Sequence, residues 1–370
     1  MRFGFVVTNL AGGGAERAVL NIAAGLSARG HRSEVLLLED IGAHARAPGI
    51  GIHALSAPGS AVSKGWLGRR LAARRLAGLH ARLAREQPFD LLVSTLPFAD
   101  EVALRARLPR HWCRIANTLS AEAARLAATR PAKAARRLAR YRRLYEGRAL
   151  IAVSRGVAAD LGDRLGLERA RIEVIPNPFD RDALRARAAE PAGLPQGPYL
   201  VHVGRFSGQK RHDVLLDAFG GLDGRYRLVL LADPAPGLAS MIAARGLGPR
   251  VLVAGFQQNP YPWIAGAELL VLSSDHEGLP NAIIEALLLG IPAVSTDCPS
   301  GPREILGDAL PQCLAPVGDA QALGAALRRA LAERPDVSRV DLSRYSAERV
   351  IAAYERLAQE ARSPCAASSG

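Results

Sequence analysis

The chain has 370 residues, 49% of them hydrophobic, and a formal net charge of +13 at neutral pH. That hydrophobic share excludes global disorder, and the length exceeds what one core usually serves, so two domains are expected. The cysteines Cys113, Cys298, Cys313 and Cys365 form no CxxC pair, which argues against structural zinc and for a reduced compartment. No run reaches the roughly 18–20 apolar residues of a membrane span, and Arg2–Leu10 is too short for a signal peptide. The expectation is a cytoplasmic protein, at most peripheral on the inner face of the cytoplasmic membrane.

Strand and helix signals alternate along the chain. Residues 3–8 read as a strand, 15–28 as a helix and 34–38 as a strand. Residues 67–85 read as a helix, 91–94 and 114–117 as strands, 133–146 as a helix, 150–154 as a strand, 156–165 as a helix and 172–175 as a strand. Then IPNPFD, an Arg/Ala stretch and PAGLPQGP have linker composition. The alternation restarts with a strand at 199–204 and a helix at 214–219. It runs on through 228–231, 238–245, 251–254, 269–273, 282–289 and 293–296, and a last helix spans 347–362. Repeated strand–helix units imply parallel sheets covered on both faces. The predicted fold is α/β, with two Rossmann-like domains facing a central cleft: residues 1–178 and 179–345. Stretches 42–65 and 119–131 read as loops.

Three motifs carry chemistry. Gly12-Gly13-Gly14-Ala15-Glu16 follows the first strand, where glycines admit close backbone approach and the next helix presents its N-terminus. It is neither a dinucleotide fingerprint nor a P-loop, since Arg17 stands at the last glycine position and no Gly-Lys-Ser/Thr follows. Arg205 and Lys210 sit five apart in the loop after the first strand of the second domain. Both can reach one diphosphate, the arginine with a two-pronged grip and the lysine as a point charge. Glu277 and Glu285 lie eight apart around Gly278-Leu279-Pro280-Asn281, with Pro280 placed in the first helical turn and Gly290 after its end. The first turn's N–H groups favour an anion, so the layout suits a nucleotide sugar: a phosphate group flanked by two hydroxyl-bearing rings.

In this strand–turn–Pro–helix–Gly context, the glutamate pair resembles the Glu-x7-Glu signature of the group 1, or family 4, retaining glycosyltransferases. EGLPNAIIEALLLGIPAVSTDCPSGPREIL is similar to the branch that builds bacterial surface and lipid-linked glycans, and the resemblance extends over nearly the whole chain. It implies a GT-B architecture whose C-terminal helix, 346–362, packs back on the N-terminal domain. Gly12–Gly14 would line the cleft beneath the sugar phosphate. Arg205 and Lys210 would hold the pyrophosphate and stabilise the leaving group, and VAGFQ, with Phe256, would meet the base. Glu285 would take the ribose hydroxyls, while Glu277 with the Gly278–Asn281 backbone would hold the donor sugar. The implied reaction moves a hexose or N-acetylhexosamine from a UDP-sugar to a glycan or lipid-linked acceptor, with no metal and no cofactor.

The sequence departs from the family at two places. Ala232-Asp233-Pro234 replaces a glycine-rich turn, and Asn117 stands where relatives often carry a cleft histidine, a place from which it would still hydrogen-bond the sugar. His276 abuts Glu277 and could line the site or be a plain loop residue. The triplet Asp180-Arg181-Asp182 lies in the linker and reads as coincidence rather than a metal motif. Arginine-rich amphipathic stretches at 69–85 and 136–148 suit contact with anionic lipid or an ordinary solvated face. Few aromatics interleave with them, so no nucleic acid is expected. Two rival readings remain: a UDP-sugar epimerase of the same fold, and a non-catalytic basic membrane- or RNA-associated protein.

Overall fold

The computed structural model describes residues 1–11, 13–42 and 49–362. The chain divides into two compact units. Unit 1 is Met1–Pro178 joined by the chain from Arg344 on, and unit 2 is Phe179–Ser343.

Unit 1 runs β1 (Arg2–Val7), α1 (Gly14–Ala28), β2 (Arg32–Leu37), β3 (Ile50–Ala54), α2 (Trp66–Glu86), β4 (Leu91–Thr95), α3 (Pro97–Arg105), β5 (His111–Ile115), α4 (Leu119–Ala127), α5 (Pro131–Tyr145), β6 (Ala149–Ala152), α6 (Arg155–Ala159) and β7 (Arg171–Val174). Its seven strands are all parallel, in the order β3-β2-β1-β4-β5-β6-β7. β1 is buried at every position, as a strand covered on both faces must be. Two stretches read as loops contain regular structure. Residues 50–54 form the edge strand β3, whose short Ile-Gly-Ile-His-Ala run shows too little pattern alone. Residues 119–127 form α4, where Leu119 and Ala123, one turn apart, bury a narrow face.

Unit 2 runs α7 (Arg181–Ala188), β8 (Tyr199–Val203), α8 (His212–Gly220), β9 (Arg227–Leu231), α9 (Pro236–Ala243), β10 (Val251–Val253), α10 (Tyr261–Ala265), β11 (Leu269–Leu272), α11 (Asn281–Leu288), β12 (Ala293–Thr296), α12 (Pro302–Leu306), β13 (Leu314–Ala315) and α13 (Ala320–Glu333). Its six parallel strands take the order β10-β9-β8-β11-β12-β13. The order reverses between β8 and β11, and in open α/β sheets ligands bind at the carboxyl ends of strands flanking such a switch. The supposed linker is partly helical. Asp180 caps α7 by accepting from the N–H groups of Asp182 and Ala183, each at 3.0 Å, so the acidic triplet is a helix start.

The chain then returns to unit 1 as α14 (Ala347–Arg362). Its Val350, Ile351, Tyr354, Leu357 and Ala358 join Ile22 and Leu26 of α1 in the first core. Gly25 makes that approach feasible, since a Cβ there would lie 2.8 Å from Ile351. Each large apolar side chain buried in this way contributes roughly 1.5–3 kcal/mol.

Candidate active site

The loops after β8 and β11 meet at the switch of unit 2, and their side chains knit them together. The Ser273 hydroxyl donates to the Lys210 carbonyl at 2.7 Å, and the Asp275 N–H donates to the Gln209 carbonyl at 2.8 Å. Gln209 Nε2 donates to the His276 carbonyl at 2.7 Å. Arg211, in the left-handed region at φ 46°, reaches Asp275 at 2.9 Å and grips Asp213 with two nitrogens. A non-glycine residue in that region is uncommon, and these ion pairs hold it there.

Lys210 and Glu277, 67 positions apart, form an ion pair at 2.6 Å. The same Glu277 oxygen accepts from Ser274 Oγ at 2.6 Å, and the carboxylate is 7% exposed. The residues read as a phosphate cation and a sugar ligand are therefore direct partners. Arg205 is exposed and makes no ion pair among the described residues, so its guanidinium stays available to an anion. Gly204 gives the lysine room, because a Cβ there would sit 3.1 Å from Lys210 Cε and 3.2 Å from His202 Nε2.

Beneath this loop lies a histidine pair. His202 and His212 are both buried, with ring centroids 4.8 Å apart, and Phe206 packs 5.3 Å from His212. The carbonyl of Val271 accepts from His202 Nδ1 at 2.9 Å, which fixes the Nδ1–H tautomer. Burial first, then Lys210, lowers the His212 pKa to about 4. Burial first, then His212, holds His202 well below its ordinary value. Both rings stay neutral at pH 7 and add no charge to compete with Lys210.

α11 is buried at every position from Ala282 to Leu288, so its only polar interior residue, Glu285, is held by its surroundings. Glu285 is the fifth residue of the helix, 4% exposed, with the Tyr261 hydroxyl 3.4 Å from its carboxylate. No side chain caps the first turn. Pro280 does not enter the helix as expected: it is the N-cap residue, at ψ 89°. The reason lies across the turn, where Gly301 at φ +99° packs so closely that a Cβ would fall 2.2 Å from Pro280 Cδ. Gly278, Leu279 and Pro280 are buried against that neighbour, while Asn281 is half-buried. Phe256 is 43% exposed, and His276, at 3%, is buried.

In unit 1, Gly13 is the N-cap of α1, and Gly14 opens it; Gly12 lies outside the described residues. A Cβ on Gly13 would fall 2.1 Å from a Glu16 carboxylate oxygen, so glycine there lets Glu16 fold back over the helix start. Asn117 follows β5, and its Oδ1 has no hydrogen-bond partner among the described residues. The structure thus brings Lys210, Glu277, Gly278–Asn281 and Glu285 together in unit 2, and places Gly13 and Gly14 at the start of α1 and Asn117 just after β5 in unit 1.

The family models agree with this division. One described as "Glycosyl transferases group 1" matches residues 197–333, and one described as "Glycosyltransferase Family 4" matches residues 12–183. The chain belongs to the group 1, family 4 glycosyltransferases. Its two parallel-sheet Rossmann-like units are those of the GT-B fold. Within the family, it is 31% identical over 157 residues to the N-acetylgalactosamine-N,N'-diacetylbacillosaminyl-diphospho-undecaprenol 4-alpha-N-acetylgalactosaminyltransferase of Campylobacter jejuni, covering 42% of this chain and 43% of that one. It is 34% identical over 166 residues to the lipopolysaccharide 1,6-galactosyltransferase of Escherichia coli K12, covering 42% and 45%. The matches therefore span less than half the length of either relative. Anabaena HepE in complex with UDP superposes with a TM-score of 0.69 at 19% identity, over 97% of this chain and all of that one, a likeness of fold.

Sequence reasoning missed four residues of this candidate site. Tyr261 stood inside the NPYPWI segment but was not singled out. Gly301 had a signal in Ser-Gly-Pro, since a glycine before a proline marks a turn. The inward histidines 202 and 212 gave none, because nothing in their spacing says they meet.

Proposed function

We propose that the chain transfers a hexose or N-acetylhexosamine, with retention, from a UDP-sugar to a hydroxyl of a glycan or lipid-linked acceptor. The observation that carries this reading is the Lys210–Glu277 pair at 2.6 Å beside the start of α11, which no side chain caps. It sets a cation, a carboxylate and the positive end of a helix dipole around one point. On donor arrival Lys210 turns part of its charge to the diphosphate, joined by Arg205, and each charge-assisted bond adds on the order of 1.5–3 kcal/mol. Glu285 accepts from the ribose hydroxyls, while Glu277 and the Gly278–Asn281 backbone hold the sugar. The bond from the anomeric carbon to the diphosphate breaks, and the acceptor oxygen bonds the same carbon on the face the diphosphate leaves. The acceptor proton passes to a phosphate oxygen, so no carboxylate nucleophile is invoked. Arg205, Lys210 and the helix start neutralise the leaving group in the role a metal plays elsewhere.

The names of the relatives support an acceptor in lipopolysaccharide or on a diphospho-undecaprenol carrier, and the HepE complex supports UDP. A lipid-linked acceptor would bring the protein to a membrane surface. No helix among the described residues is long and apolar enough to cross one. A thermal-shift panel of UDP-, GDP-, ADP- and CMP-sugars against wild type and Glu285→Ala tests the donor site. A ligand at about 100 times its Kd adds roughly 2.7 kcal/mol, a shift of several degrees. A UDP-sugar shift weakened in Glu285→Ala is expected. A shift with another nucleotide class only, or an undiminished shift in the variant, overturns the assignment.

A further inference from the structure

Eight large hydrophobic side chains are exposed among the described residues, and three of them fall within six positions at the start of α2. Trp66 is 59% exposed, Leu67 72% and Leu71 50%. The helix does not need them for packing, since Ala72, Ala73, Leu76, Leu79 and Leu83 fill its inner face. At about 100° per residue, Leu67 and Leu71 share the opposite stripe with Arg74 and Arg75. A contiguous apolar patch rimmed by polar groups marks an interaction surface, whereas scattered exposed leucines need no explanation.

Charge selects the partner. Lys64 precedes α2, and the helix carries Arg69, Arg70, Arg74, Arg75, Arg82 and Arg85. Its only acid, Glu86, is the last residue and pairs with Arg32. α5 adds Lys133, Arg136, Arg137, Arg140, Arg142 and Arg143, with no acid at all. Glu101 of α3 ties the two helices side by side, with one carboxylate oxygen 3.5 Å from Arg69 Nε and 2.6 Å from Arg140 Nη2. Arg70 instead lies over the Trp66 ring at 5.6 Å. Among the described residues Arg70, Arg74, Arg75 and Arg82 form no ion pair. A nucleic acid would meet these cations but leave Leu67 and Leu71 in water. An anionic bilayer meets both, because arginines sit at the headgroups while apolar side chains enter the acyl boundary.

We infer that the start of α2 is a membrane-docking tip, in which Trp66, Leu67 and Leu71 insert into an anionic lipid surface and Lys64, Arg70 and Arg74 bind its headgroups. The inference rests on the lipid-linked acceptor reading for its purpose, and on exposure and charge for its physics. Trp66 supplies the reporter, since the other two tryptophans, Trp112 and Trp263, are 5% and 6% exposed.

The test mixes the full chain with vesicles of phosphatidylglycerol and phosphatidylcholine, and with phosphatidylcholine alone. Sedimentation with the anionic vesicles and a blue shift of tryptophan emission that Trp66→Phe removes are expected. Arg70→Gln/Arg74→Gln should lower partitioning by roughly 10- to 30-fold. Leu67→Ser/Leu71→Ser should lower it comparably, with melting temperatures unchanged because all four positions are exposed. No sedimentation, sedimentation without the blue shift, or stronger retention by RNA than by anionic vesicles overturns the docking tip. The UDP thermal shift on the same preparation separates the readings. Loss of vesicle binding with that shift intact rejects the tip alone, and the converse rejects the donor site alone.

Discussion

The two parallel sheets differ in how far the charged groups at their strand ends are paired across loops. In unit 2, Gln209, Lys210 and Arg211 each bond to the segment from Ser273 to Glu277, so the charged groups are assembled before any ligand arrives. In unit 1, Thr95 Oγ1, Asn117 Oδ1 and two nitrogens of the buried Arg114 have no hydrogen-bond partner among the described residues. Buried polar groups are ordinarily paired. One sheet thus presents Lys210 and Arg211 already paired across two loops, above unpartnered Ser207 Oγ, His202 Nε2 and both His212 ring nitrogens, while the other leaves its strand-end groups more widely unpaired. The contrast teaches that a fold used twice in one chain need not be prepared twice to the same degree. A site that stabilises a leaving group gains from rigidity, whereas one that receives varied hydroxyls gains from spare donors and acceptors.

The sharpest way to break this contrast is to remove the central cation. Lys210→Ala should lower turnover by about 10²–10³-fold, the usual effect of deleting one transition-state charge donor, while the protein still folds. It also removes the cation paired with Glu277, so Lys210→Met and Glu277→Gln should be strongly non-additive in a double-mutant cycle. An unaltered rate in the single variant would refute the role.

A second approach uses pH, because burial lowers His212 of unit 2 and His111 of unit 1 to about 4 and raises Asp100 of unit 1 to about 7. His212, lowered to about 4, leaves the unfolded chain holding more protons between roughly pH 6.5 and 4. Unit 2 therefore loses stability as pH falls through that window, on the order of 3 kcal/mol in all. Asp100 in unit 1 is raised to about 7 by burial, against the opposing bonds from Ser94 and Tyr145. Its contribution is full below about pH 4 and is lost as pH rises through 7. Denaturant unfolding followed at Trp263 should show the acid-side loss diminished in His212→Leu. Asp100→Asn should flatten the loss between pH 4 and 7 that wild-type unit 1 shows. The same slope in wild type and both variants would contradict the assignment.

Smaller effects refine the picture. Gly301→Ala adds a Cβ that strikes Pro280 and occupies a positive φ, so it should cost about 1–3 kcal/mol and weaken the UDP shift. An unchanged melting temperature would show that the turn yields freely. Asn117→Ala should raise the acceptor KM by a modest factor, about 5-fold, and leave the UDP shift as it was. A reduced UDP shift in that variant would erase the distinction between the sheets.

Much of this was legible in the residues, and the exceptions have a common cause. Period and punctuation marked most buried strands and several long helices, though not α3, β13 or the 14-residue α13, and the position of Lys210 after a strand pointed to its loop. Glu277 and Glu285 were visible because strand, turn and helix follow one another in sequence. The Lys210–Glu277 bond was not, since it spans 67 positions and depends on β8 and β11 being neighbours in the sheet. Gly301 was passed over because its importance comes from Pro280, 21 positions earlier. α4 and β3 were missed because short elements carry few periods, and neighbours rather than propensity settle them.

α14 has a consequence for how the chain is made. The first-synthesised sheet keeps Ile22 and Leu26 of α1 uncovered until Ile351 and Tyr354 leave the ribosome, after all of unit 2 has been translated. The stretch that encodes the sheet of unit 1 therefore specifies a core that it does not close by itself. A nascent chain stalled anywhere before residue 347 should present that greasy seam to chaperones and proteases, whatever the state of unit 2.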